Sequence, residues 1–83
     1  MSQTITRKVY LTFPALKTKE AIICDMYDLY KVRFNVRTAS VTKEIGLIGL
    51  ELEGNAHQIE QAIQYFESRG VGVESVDMDV MEG

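Results

Sequence analysis

Asn35 stands between two arginines in the run Lys31-Val-Arg-Phe-Asn-Val-Arg-Thr38. Arg33, Asn35 and Arg37 occupy one set of alternate positions, Val32, Phe34 and Val36 the other. A side-chain amide donates and accepts at once, a combination that suits an amino-acid or amide ligand. The competing reading of the same triplet is three solvated strand residues, the ordinary state of exposed polar side chains.

The other reactive side chains are isolated. Cys24 is the single cysteine, so the chain has no internal disulfide and no self-contained zinc or iron–sulfur site. Its acidic neighbours disfavour a thiolate. His57, the single histidine, has no Asp or Cys at ligand spacing and reads as a solvated helix residue. Asp77, Asp79 and Glu82 form a carboxylate cluster near the C-terminus that suits a hard cation or plain solvation. Met26, Met78 and Met81 share no periodic spacing. Gly46, Gly49 and Gly54 precede no Lys-Ser/Thr pair, so no phosphate loop is present. No nucleophile has a base in a recognisable setting. The expectation is a binding module without cofactor or metal, not an enzyme.

The elements that position Asn35 follow from periodicity. Thr4–Phe13 alternates, with Ile5, Val9, Leu11 and Phe13 on one side and Arg7 interrupting. Pro14 stops this strand. Thr18 is the expected N-cap of a helix over about Lys19–Tyr30, with Ile22, Met26, Leu29 and Tyr30 buried and Ile23 at the margin. A strand covers Lys31–Thr42, and a polar turn at Thr42-Lys43-Glu44 leads to another with Ile48, Leu50 and Leu52 inward. Asn55 caps a second helix with Gln58 reaching back; Ala56, Ile59, Ala62, Ile63 and Phe66 form its stripe, and Gly70 ends it. The last strand runs from Val71 to about Val80. Its apolar phase slips between Val73 and Val76, which predicts a bulge near Glu74-Ser75.

The order β-α-β-β-α-β is the split βαβ pattern: an α+β fold with both helices on one face of a four-stranded antiparallel sheet. Residues 4–80 form one domain between flexible ends at 1–3 and 81–83. At 83 residues the buried fraction is small, so a partner would add stability. The bare face combines Tyr10, Ile45, Leu47 and Gly49 with Arg33, Asn35 and Arg37. That much apolar area calls for a cover, most simply a second copy of the chain in a homodimer. A larger protein partner is the alternative. The net charge of −3 and the lack of aromatics on the third strand argue against nucleic acid. No apolar run spans a bilayer and the first residues lack a signal-peptide core, so a cytoplasmic location is expected.

Four segments resemble the NIL domain, a ferredoxin-like, ACT-related family: VYLTFP at Val9–Pro14, FNVRTASV at Phe34–Val41, GLIGLELEG at Gly46–Gly54 and AIQYFESRGVGVESV at Ala62–Val76. The family occurs at the C-terminus of ATPase subunits of methionine-uptake ABC transporters and as stand-alone proteins. Its Asn-Ile-Leu motif stands here as Asn35-Val36-Arg37, where Arg37 departs from the pattern. The resemblance implies a regulatory module that senses an amino acid such as methionine at a dimer interface, with Asn35, Val36, Arg33 and Arg37 near the ligand. An adaptor docking on a larger transporter or sulfur-metabolism enzyme is the second implied role.

Overall fold

The computed structural model describes residues 4–14, 21–42 and 44–76. Six elements follow in the expected order: β1 (Ile5–Pro14), α1 (Ile22–Tyr30), β2 (Arg33–Val41), β3 (Ile45–Gly54), α2 (Ala56–Ser68) and β4 (Gly72–Ser75). The sheet order is β2-β3-β1-β4, and every pairing is antiparallel. This is the ferredoxin-like α+β arrangement.

The alternation of β1 and β3 decides which side chains meet the helices. Val9 lies opposite Leu50 and Leu11 opposite Ile48, so one face of this central pair is apolar. Ile22 and Met26 of α1 and Ile59, Ala62 and Phe66 of α2 close over it. Val32 and Val71, one residue before β2 and β4, are buried as well. Arg7 interrupts the stripe as expected; its guanidinium reaches the Glu60 carboxylate of α2 at 2.6 Å. Tyr30 meets Tyr65 edge to face, and Arg69 lies 3.6 Å from Asp25, tying the two helices together.

Both helix ends are built locally. The Asn55 side chain accepts from the Gln58 backbone N–H at 2.8 Å, and the Gln58 side chain accepts from the Asn55 N–H. At the other end Gly70 is left-handed at φ 83°. Its N–H and that of Val71 donate to the carbonyls of Glu67 and Phe66, a complete Schellman motif. Lys31 closes α1 in the same backbone region at φ 55°, donating to the Tyr27 carbonyl. The hairpin between β2 and β3 is organised by Thr42, whose hydroxyl accepts the N–H of Glu44 and of Ile45.

Several expectations change. Phe34 and Val36 do point to the helix side, opposite Leu52 and Leu50, but among the described residues no helix buries them. Val36 is 49% exposed, and all nine residues of β2 are exposed. Alternation identifies the face of a strand, not whether a helix lies above it; α1 reaches β2 through the Tyr27 ring, 6.4 Å from that of Phe34. Leu29 is 61% exposed rather than buried, because it lies off the arc that meets the sheet. Ala56 at the start of α2 is exposed too. The bulge lies in β2, between Val36 and Thr38, and not in β4. β4 stays in register from Gly72 to Ser75, and the Val76 N–H still reaches the Lys8 carbonyl. The expected cap at Thr18, residues 19–20 of the first helix, the carboxylates Asp77, Asp79 and Glu82, and Met78, Val80 and Met81 lie outside the described residues.

Candidate functional site on the open sheet face

The face away from the helices is ordered in cross-strand rows. Thr6, Glu53 and Arg33 make one row; Lys8, Glu51 and Asn35 make the next. Tyr10, Gly49 and Thr38 follow, then Thr12, Leu47 and Ser40. Polar side chains thus gather at one end and apolar ones, with Ile45, at the other.

The polar end holds a cleft of about 490 Å³ lined by Thr6, Arg33, Asn35, Glu51 and Glu53, with Phe34 at its margin. That volume is within the range of small-molecule sites. The Arg33 guanidinium lies 3.9 Å from Glu53, and that of Arg37 lies 3.6 Å from Glu51. Asn35 therefore sits between two cation–anion pairs. An ammonium group would find carboxylates, and a carboxylate would find guanidinium donors, within the same few residues. Arg37 reaches Glu51 by plain alternation from Asn35; the bulge then turns Thr38 and Ser40 onto the same side.

Gly49 shapes the middle of the face. A Cβ there would lie 2.6 Å from the Thr38 hydroxyl oxygen and 3.1 Å from Tyr10 Cε1. The absent side chain lets the Tyr10 ring lie close to β3, and Tyr10 is still 53% exposed. Leu47 and Ile45 continue the apolar end and are exposed.

Arg33, Asn35 and Arg37 thus share one face with Tyr10, Ile45, Leu47 and Gly49, whereas Val36 lies on the other side of the sheet. Glu51 and Glu53 were not singled out by sequence reasoning. They alternate with Leu50 and Leu52 and read as the solvent side of a strand; only the pairing with β2 sets them beside the arginines. Val76, beside Lys8 at the outer edge, is a further exposed apolar residue.

Cys24 is exposed and borders a separate apolar cleft of about 140 Å³, with Phe13, Ile22, Val41 and Ile48 in its wall. His57 is exposed on α2. Among the described residues no three His, Cys, Asp or Glu side chains are grouped to hold a metal ion. No helix among them is long and apolar enough to cross a membrane.

The NIL domain family profile matches residues 7–75. The fold is similar to the crystal structure of the C-terminal domain of an ABC transporter/ATP-binding protein from Enterococcus faecalis. That match has 21% identity over 86% of this chain and 83% of that chain, with a TM-score of 0.75. It is also similar to the de novo designed protein Foldit4, at 9% identity over 98% of this chain and 100% of that one, with a TM-score of 0.62. No curated protein matches the chain.

Proposed function

The chain belongs to the NIL domain family, a regulatory or accessory module, and from that premise we propose that its open sheet face binds a small zwitterion, an amino acid such as methionine. One observation carries the reading: Asn35 is flanked on an exposed face by the Arg33–Glu53 and Arg37–Glu51 pairs, in an open polar cleft. Glu51 and Glu53 take the ammonium group, an arginine takes the carboxylate, and Asn35 orients the ligand through its amide. The side chain of the ligand extends toward Tyr10 and Gly49. Such a site holds and releases its ligand without bond-making chemistry.

Calorimetric titration with methionine and other neutral amino acids tests this, alongside analogues lacking either the amine or the carboxylate. Both analogues should bind at least tenfold more weakly than the parent. Absence of heat and of any thermal shift at millimolar ligand would overturn the ligand reading.

The exposed apolar end of the same face supports a second role as an adaptor. Tyr10, Ile45 and Leu47 would dock on a larger partner, a transporter or a sulfur-metabolism enzyme, with no ligand involved. Leu47→Asp should then abolish co-purification of that partner while leaving amino-acid titrations unchanged.

A further inference from the structure

The charges on the polar side of the open face do not close among themselves. Arg33 pairs with Glu53 and Arg37 with Glu51. Lys8 lies opposite Glu51 in the β1–β3 register, yet among the described residues it makes no ion pair. Glu74 is on β4, with Tyr10 between it and Gly49 in the cross-strand row. Lys8 is thus a cation without a counter-charge beside the polar cleft. A neutral zwitterion brings one charge of each sign and leaves it so.

Lys8 also borders a second hollow. A space of about 40 Å³ opens over Gly49 between Lys8, Tyr10, Arg37 and Thr38. It has room for a small terminal group, not for a ring. Its walls are largely carbon, the Tyr10 ring among them. The floor is backbone, since Gly49 has no side chain, and the Thr38 hydroxyl lies 2.6 Å from where a Cβ would stand. Methylenes fit such walls, and an ammonium group with a hydroxyl donor at the rim fits an oxyanion. Glu51 and Gly49 are two residues apart on β3, which sets the hollow about 7 Å from the middle of the polar cleft.

We propose, on the reading of the open face as an amino-acid site, that the ligand is acidic and of the glutamate type, its side-chain carboxylate held over Gly49 by the Lys8 ammonium and the Thr38 hydroxyl. The α-ammonium group stays with Glu51 and Glu53, and the α-carboxylate with an arginine. Two methylenes carry the second carboxylate across the gap; the single methylene of aspartate leaves it short of Lys8. The net charge of −3 repels anions at long range, so a preference for glutamate over the isosteric, neutral glutamine is local in origin.

Calorimetric titration of the full chain at low salt with glutamate, glutamine, aspartate and methionine tests the assignment. Glutamate should bind about fivefold more tightly than each of the others, the upper range for one exposed ion pair. The margin over glutamine should shrink at high salt. Lys8 is exposed, so Lys8→Met should keep the circular dichroism spectrum of the parent. It should bring glutamate down to the level of glutamine, whereas Lys8→Arg should keep the preference. Glutamine, aspartate or methionine binding as tightly as glutamate overturns the assignment and leaves the amino-acid site standing. So does a preference for glutamate that survives Lys8→Met. Heat from none of the four overturns the amino-acid site itself, and the acidic ligand with it.

Discussion

The Arg37 guanidinium lies 3.6 Å from the Glu51 carboxylate, next to the bulge that brings Thr38 onto the face Arg37 shares with Asn35. Arg37 is largely exposed, so the pair adds no more than about 1 kcal/mol to stability. Its expected role is in binding. Arg37→Leu should move the melting temperature by only a few degrees yet weaken amino-acid binding by about tenfold, the ~1.4 kcal/mol of one charged contact. An analogue without a carboxylate should be indifferent to the change. Titration of both ligands against both proteins checks it; equal losses would argue against a carboxylate contact.

Gly49 has no room for a side chain between Thr38 and Tyr10. Gly49→Val should cost about 1–3 kcal/mol by overpacking. Gly49→Ala should cost less, because the Thr38 hydroxyl can rotate away. Combining it with Thr38→Ala should recover part of the loss, and thermal melts of the four proteins in the cycle measure that coupling.

The capping box of α2 makes Asn55 a stability residue. Asn55→Ala should cost about 1 kcal/mol. In a domain of this size that is about 4–8 °C in melting temperature. Asn55→Asp should retain most of the stability. A melt in which Ala and Asn are equal would show that the cap contributes nothing.

Gly70 and Lys31 share a left-handed backbone, so their alanine variants should differ sharply. Gly70→Ala forces a Cβ into that region and should cost about 1–2 kcal/mol. At position 31 the wild-type lysine already bears this strain. Lys31→Ala should lose only the contact of the ammonium group 5.2 Å from the Tyr27 ring, about 0.5–1 kcal/mol for an exposed site. Denaturant unfolding of the two variants checks the contrast.

Arg7 is half-way between core and surface, its stem against the apolar face and its head on Glu60. Glu60→Gln should cost about 1 kcal/mol or less, since Glu60 is exposed. Arg7→Ala should cost more, because the packed stem goes with the charge. Arg7→Met should fall between the two; if it equals Arg7→Ala, packing of the stem is not the source of stability.

The order of elements, both ends of α2, the turn at Thr42 and the facing of β1 and β3 were legible in the chain. Each rests on an interaction between residues a few positions apart, or on a period of two or 3.6, and such signals survive in one dimension. The placement of Asn35, Arg33 and Arg37 on the open face came from the same source. What local pattern could not reveal was relative position across the fold. Glu51 and Glu53 became part of the site only when β3 was paired with β2. Leu29, Phe34 and Val36 look like core by periodicity, yet each is exposed among the described residues. The phase slip read in the last strand did not locate the bulge, which lies in β2 between Val36 and Thr38 and turns Thr38 and Ser40 onto the open face. Periodicity sets which way a side chain points; only the assembled layers decide what, if anything, stands in front of it.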